Sequence, residues 1–287
     1  MKRKLKDIIK NELRNKIPAD ILGLLPSSYQ IIGDIMIIKL REELIKYEKI
    51  IGEAILKKFP NIRTVCRKIK GISGEMRLPS VKVIAGDLNT VTIHKENNCL
   101  YKLDVAKVMF AKGNKKERAR IPRLVREGET IVDMFAGIGY FTIPIAVLAN
   151  PKIIYAIDIN PVAIEFLKEN IKLNKVEGKV IPILGDCREI TLKLGPIADR
   201  VIMGYLPNTW RFLPYALKVT KPTGGIIHYH DIFPKNELYD KPIELLTRIA
   251  DQEGFVLEKI LYRGIVKQYA PRIYHIVIDA LFKKKIN

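Results

Sequence analysis

Seven short apolar runs, separated by segments with helical patterning, fill the chain after about residue 104. They read TIVDMFAG, KIIYAIDIN, KVIPILGD, ADRVIMGYL, GGIIHYHD, FVLEKILYR and YHIVIDALF. Runs without polar alternation are buried on both faces, and helices between them supply the covers. This half therefore predicts an α/β fold, a doubly wound and mostly parallel sheet of the Rossmann-like kind. One intervening helix, PVAIEFLKENIKLN, carries its own start signal, with Asn160 ahead of Pro161 at the first turn. Ligands of such sheets sit at the carboxyl ends of the strands.

Upstream the pattern is mixed. YQIIGDIMIIKL, SVKVIAGD and NTVTIHKE are strand-like, whereas REELIKYEKIIGEAILKKF is helical. Residues 1–104 are expected to form a smaller N-terminal α+β region, and residues 105–287 a Rossmann-like catalytic domain. Near the N-terminus, Leu5, Ile8, Ile9 and Leu13 share one helical face without an apolar h-region, which predicts a docked amphipathic helix and not a targeting peptide. No apolar run approaches the roughly 18 residues of a membrane span. The best candidate, YFTIPIAVLA, is short and contains Pro144. Cys66, Cys99 and Cys187 share no close spacing, which suggests neither a disulfide framework nor a metal site. A cytoplasmic protein is expected, without metal and monomeric.

Charge narrows the partners. Fifty Lys+Arg against 31 Asp+Glu leave a formal +19. A thermophile's Lys/Glu surface network would be roughly balanced; this excess instead attracts polyanions, since most nucleic-acid affinity is phosphate neutralisation. Arg63, Arg67, Lys68, Lys70 and Arg77 gather around what read as loops of the N-terminal region, which suits an RNA-contacting module.

The first strand of the catalytic half ends in VDMFAGIGYF. Gly137 and Gly139 allow a tight turn and a close backbone approach to a ligand. The third glycine of a dinucleotide fingerprint is replaced by Thr142, which argues against a packed pyrophosphate. Asp133 at the strand end can accept from an ammonium. Asp158 ends the second strand, about 20 residues on, where a carboxylate meets ribose hydroxyls. Asp186 ends the third, where an adenine amine could be held with the Cys187 amide beside it. Carboxylates at three successive strand ends predict S-adenosyl-L-methionine as the donor substrate.

The segments LDVAKVMFAKGNKKERAR, VDMFAGIGYFTIPIA, ENIKLNKVE, ADRVIMGY, IIHYHD and KQYAPRIYHIVIDA resemble a group of archaeal and eukaryotic tRNA-modifying enzymes. That group acts on the guanosine 3′ of the anticodon. One branch comprises the tRNA guanine-N1 methyltransferases. The other, the wybutosine-pathway aminocarboxypropyltransferases, moves the 3-amino-3-carboxypropyl group of S-adenosylmethionine onto a tricyclic guanine derivative. The resemblance implies tRNA, at its anticodon region, as partner. It adds Ala111 and Phe135 to the cofactor-binding set, and it implies that Arg118 holds the methionine carboxylate.

Residues within the motifs separate the branches. Where the methylating branch has F-S-P-R this chain has Phe110 to Gly113, without the arginine; where that branch has N-L-P it has Tyr205, Leu206 and Pro207. Met203, Gly204 and Tyr205 match the M-G-Y of the transferase branch, as Asn114, Glu117 and Arg118 match its N-x-x-E-R. Pro207, Arg272, and Ala111 in place of a serine are methyltransferase-like. Aminocarboxypropyl transfer, with Arg118 and Tyr205 as catalytic residues, is the expectation. Guanine-N1 methylation is the alternative, and a non-catalytic tRNA-binding protein the second alternative. His228 and His230 read as sheet packing more readily than as catalysts, Trp210 as packing or a stacking platform, and Tyr269 and Arg272 as a basic loop beside tRNA.

Overall fold

The computed structural model describes residues 4–74 and 76–286. It divides into two compact units, one of Met1–Glu96 and Leu100–Lys112, the other of Asn97–Cys99 and Gly113–Asn287. Residues 105–112, assigned to the catalytic half on sequence grounds, thus cluster with the first unit. Phe110 holds them there: its ring meets His94 and Tyr101 edge-on at 4.8 and 5.3 Å, and its carbonyl accepts from Gln30 Nε2 at 2.7 Å.

The first unit opens with α1 (Leu5–Leu13), which buries Leu5, Ile9 and Leu13, the face its spacing predicts. After α2 (Ala19–Leu22), the strands β1 (Tyr29–Ile32) and β2 (Ile35–Ile38) form a hairpin about Gly33, whose φ of 56° suits glycine. The helical stretch that follows is a 3-10 turn, Glu42–Tyr47, leading into α3 (Glu48–Lys58). With β3 (Thr64–Ser73) and β4 (Leu78–Gly86) the first strands make a four-stranded sheet in the order β1-β2-β3-β4. Strands β5 (Val91–Glu96) and β6 (Cys99–Asp104) pair as a separate two-stranded sheet.

Strand β3 corrects one expectation. Arg67, Lys68 and Lys70 lie on a strand and not around loops. Arg63 is committed internally: it donates to Asp34 and Asp87 and to the carbonyls of Asn89 and Val91, all at 2.9–3.0 Å. Arg67 reaches Glu48 at 2.6 Å. Lys68 and Lys70 are exposed.

The second unit begins at α4 (Lys115–Arg120), followed by a 3-10 turn at Ile121–Leu124. Then strands and helices alternate: β7 (Thr130–Asp133), α5 (Thr142–Leu148), β8 (Ile153–Asp158), α6 (Pro161–Leu173), β9 (Val180–Leu184), α7 (Cys187–Leu194), β10 (Arg200–Met203), α8 (Leu213–Val219), β11 (Gly225–Pro234) and α9 (Asp240–Gln252). The long strands β12 (Phe255–Ala270) and β13 (Ile273–Lys284) close it.

The sheet order is β12-β13-β11-β10-β7-β8-β9. From β11 to β9 neighbours run parallel, and β13 is antiparallel to both β11 and β12. All four residues of β7 and of β10 are buried, as strands covered on both faces must be. Order reverses at β7, which has β8 on one side and β10 on the other, so the crevice for a ligand opens beyond Asp133. Asn160 caps α6 by accepting from the amides of Val162 and Ala163, an arrangement that stabilises by about 1 kcal/mol. Tyr269, expected in a loop, is still in β12; the connection to β13 is the two residues Pro271 and Arg272, the latter at φ 60°.

Candidate active site

The loop after β7 is built around two carboxylates. Asp133 is fully buried; it accepts from Thr142 Oγ1 at 2.7 Å and from the Phe135 amide at 3.4 Å. Burial dominates and pushes its pKa up to about 7. Asp158, at the end of β8, accepts from the Gly137 amide at 2.7 Å and the Asn160 amide at 2.8 Å. Burial raises its pKa, and those amides oppose the rise. The Gly137–Asp158 bond ties the glycine turn to the second strand, while Asn170 Nδ2 holds the Ile138 carbonyl at 3.0 Å from α6.

Both glycines are at positive φ, 56° for Gly137 and 97° for Gly139. A Cβ on Gly137 would enter the Tyr140 ring, and one on Gly139 would strike Ile143 and Leu167. The second glycine therefore lets α5 and α6 pack against the turn, the role left vacant by Thr142 in the fingerprint.

Asp186 has two employments. It is the N-cap of α7, accepting from the Arg188 amide at 2.8 Å. The Arg188 guanidinium also grips both its oxygens, Nε at 3.0 Å and Nη2 at 2.5 Å. That hydrogen bonding holds its carboxyl below the usual carboxylate range. Arg188, which the sequence reading passed over, also lies 5.8 Å from the Phe212 ring centre. Burial drives the neighbouring Cys187 thiol up to about 12, so it is no nucleophile; its backbone, at the first residue of α7, is what remains for a ligand.

Three rings line the ends of β7 and β10. Tyr205 stacks on Phe135 with centroids 5.0 Å apart at 26°, and Phe212 meets both edge-on at 5.0 and 5.7 Å. One face of Tyr205 is thus covered by Phe135. Gly204 lies against Phe141, whose ring a Cβ there would approach to 2.9 Å. Beyond the cis Leu206–Pro207 bond, the Asn208 amide donates to Asp231 at 3.0 Å. Trp210 is partly exposed, with the Arg211 guanidinium 5.4 Å from its ring centre.

Arg118 is buried at 1% exposure on α4, which removes the alternative of a solvated helix face. Its charge opposes the rise in the Tyr140 phenol pKa that burial and Asp158 produce, so Arg118, Tyr140 and Asp158 are electrostatic neighbours. Arg120 of the same short helix pairs with Glu117 and Asp279. His228 and His230 are both buried in the sheet, as their packing role predicts; His230 Nδ1 lies 2.9 Å from His275 Nε2.

Of the expected cofactor residues, Asp133, Phe135, Gly137, Gly139, Asp158, Asp186, Cys187 and Arg118 all belong to the second unit, whereas Ala111 is half-buried in the first. The second unit thus carries carboxylates at the ends of β7 and β8 and at the N-cap of α7, a glycine turn that a side chain would fill, and a buried guanidinium. Among the described residues no cluster of three or more His, Cys, Asp or Glu is arranged to hold a metal ion.

Known proteins resemble this chain over most of its length. The family model of the TRM5/TYW2 methyltransferase domain matches residues 92–258, and that of the TYW2 N-terminal domain matches residues 9–90. The chain is 46% identical over 260 residues to the tRNA(Phe) (4-demethylwyosine(37)-C(7)) aminocarboxypropyltransferase of Methanocaldococcus jannaschii, covering 89% of this chain and 98% of that protein. It is 43% identical over 263 residues to the tRNA (guanine(37)-N(1))-methyltransferase Trm5b of Pyrococcus abyssi, covering 92% of this chain and 77% of that protein. A solved structure of Pyrococcus horikoshii TYW2 in complex with MeSAdo superposes with a TM-score of 0.84 at 38% identity, covering 97% of this chain and 100% of the other.

Proposed function

This chain belongs to the TRM5/TYW2 family, and we propose that within it the protein transfers the 3-amino-3-carboxypropyl group of S-adenosylmethionine to C7 of 4-demethylwyosine at position 37 of tRNA. The observation that carries the choice is the mouth of the site. Gly204 lets the backbone sit against the Phe141 ring, which a Cβ would approach to 2.9 Å, and Tyr205, stacked on Phe135, presents a ring where the methylating branch presents an amide. A flat, wide shelf suits a tricyclic base.

The chemistry agrees. Methylation of guanine N1 must remove a poorly acidic ring proton, which calls for a polar group at the acceptor atom. An electron-rich ring carbon needs chiefly to be positioned. Its electron pair forms the bond to Cγ; the Cγ–S bond breaks, its pair neutralises the sulfonium, and methylthioadenosine leaves. The proton on C7 is then lost and the ring regains its aromaticity.

In this reading Asp158 accepts from the ribose hydroxyls, Asp186 from the adenine amine, and Asp133 from the methionine ammonium. Arg118 holds the methionine carboxylate through a charge-assisted, two-pronged contact. Gly137 and Gly139 let the backbone approach, Phe135 and Tyr205 floor the acceptor side, and Ala111 and the Cys187 amide complete the cofactor contacts. Unit 1 supplies tRNA affinity through its share of a chain-wide excess of 50 basic over 31 acidic residues. The reading extends to a cytoplasmic monomer; Cys66, Cys99 and Cys187 are buried and in no disulfide, which suits a reducing compartment, and among the described residues no helix is long and apolar enough to cross a membrane.

The test is product identity. With tRNA carrying 4-demethylwyosine the protein is expected to release methylthioadenosine. The second reading, guanine-N1 methylation, draws on Pro207, Arg272 and the Trm5b likeness. It takes over if the protein methylates an unmodified guanosine 37 and releases S-adenosylhomocysteine.

A further inference from the structure

Beneath the cofactor loop the second unit buries a chain of charges that the transfer chemistry leaves unused. Glu129, just before β7, accepts from Arg200 Nε and Nη2 at 2.7 and 2.9 Å. Arg200 also donates to the Leu124 carbonyl at 2.8 Å and lies 2.8 Å from His228 Nε2. A guanidinium only donates, so His228 Nε2 accepts, and its Nδ1–H is the donor to Asp279 at 2.7 Å. Asp279 in turn receives Arg120 at 2.5 and 3.1 Å, and Arg120 closes on Glu117 at 2.8–3.1 Å. Arg200, His228 and Asp279 are 1%, 0% and 2% exposed.

Each link crosses to another element, from the head of β7 through β10, β11 and β13 to α4. Buried ion chains are weak sources of stability, often replaceable by apolar packing without loss. Fixed geometry is what they do supply, and α4 needs it. At six residues it is too short to hold itself. It is pinned at both ends: Lys267 Nζ donates to Asn114 at 3.1 Å ahead of it, and Asp279 takes Arg120 at its last residue. Arg118 lies between the pins.

We propose that the chain Glu129–Arg200–His228–Asp279–Arg120 is a positioning device that fixes the rotation of α4, and with it the direction of Arg118, so that Cγ and not the methyl carbon of the sulfonium faces the acceptor. The proposal rests on reading Arg118 as the partner of the methionine carboxylate. All three carbons on the sulfonium are electrophilic, and the one in line with the acceptor reacts. The carboxylate belongs to the arm that is transferred, so a loosened anchor harms aminocarboxypropyl transfer more than methyl transfer.

Two variants test it: Arg120→Lys, which keeps the charge and loses the fork, and Asp279→Asn, which keeps the shape and loses the charge. With tRNA carrying 4-demethylwyosine, methylthioadenosine and S-adenosylhomocysteine are both quantified, beside cosubstrate affinity and thermal melting. The methylthioadenosine kcat is expected to fall about 100-fold, the order that a misplacement of about 1 Å costs, and the share of S-adenosylhomocysteine to rise about tenfold. Glu129→Gln, at the far end, should shift the ratio less while costing comparable stability. Folded variants that slow the reaction with an unchanged product ratio overturn the proposal. Failure of both variants to fold overturns it too, because the chain would then be a folding core. The underlying reading fails separately, if the unaltered protein itself releases only S-adenosylhomocysteine.

Discussion

Replacing Asp133 with asparagine should make the protein more stable at pH 8 and slightly less stable at pH 4. The carboxyl is fully buried and its pKa is raised from 3.8 to about 7 by burial, with the Thr142 hydroxyl and the Phe135 amide pulling only weakly against it. The native state therefore holds this proton more tightly than the unfolded chain does. Stability is lost as pH climbs from 3.8 through about 7, and the loss is constant above that. At about 1.4 kcal/mol per pKa unit, the ionised carboxylate costs the fold about 4 kcal/mol at pH 8. Asparagine keeps an acceptor for Thr142 and carries no charge. Amide hydrogens left without partners cost about 1–2 kcal/mol, so the net gain at pH 8 is about 2–3 kcal/mol. Urea unfolding followed by the sole tryptophan, Trp210 in the second unit, measures the difference at pH 4, 6 and 8; titrating groups that do not interact with Asp133 cancel between the two proteins, whereas Asp158, whose charge adds to the rise, contributes a smaller change of its own. The same variant should bind S-adenosylmethionine at least about tenfold more weakly, since its ammonium loses a charged acceptor. A wild-type protein whose stability relative to the variant is flat from pH 4 to 8 would refute the reasoning.

Asp158→Ala removes the expected ribose acceptor and the partner of the Gly137 amide, and should weaken S-adenosylmethionine by about 1.5–3 kcal/mol, roughly 10- to 150-fold in Kd; unchanged affinity by calorimetry in a folded variant would sink the assignment. Combining Tyr205→Asn with Gly113→Arg should abolish aminocarboxypropyl transfer and allow weak methylation of unmodified guanosine. Because the Lys267 side chain crosses Gly113, the arginine has to displace it, and full methylthioadenosine output from the double variant would count against the branch assignment. Binding of tRNA should weaken steeply with salt, and Lys68→Ala and Lys70→Ala should each reduce the log–log slope by about 0.7–0.9. Arg63→Ala should instead lower the melting temperature of unit 1, as its four internal partners require; equal salt slopes for all three variants would contradict the distinction.

Much of the catalytic unit was legible because its signals are local. Apolar runs mark strands wherever they fold, and Asp133 and Asp158 end strands because the runs end there, whereas Asp186, expected at a strand end, follows β9 by two residues as the N-cap of α7. What could not be read is what depends on distant partners. Nothing near Arg188 says that its side chain turns back onto Asp186, and nothing near Arg120 says that Asp279, 159 residues on, will take its charge. His228 read as packing, which it is, yet its role as a link between two arginines needs the register of β11 against β13. In the first unit Arg67, Lys68 and Lys70 read as loop residues because a basic strand lacks the apolar alternation that marks one. Phe110 looked like the start of the catalytic half because its neighbours in sequence belong there, while its neighbours in space are His94 and Tyr101.

The large sheet has two open sides, and each is spoiled as a template for further strands. On one side β9 is only five residues long and contains Pro182, which has no amide hydrogen to offer a visitor. On the other, β12 runs for 16 residues, a length that would invite copying, but its ladder with β13 slips at four places. Each slip twists the strand and breaks the even row of amides and carbonyls, and Lys259, Arg263 and Lys267 stud it with like charge. An added strand therefore meets no even row of backbone partners on either side of this sheet.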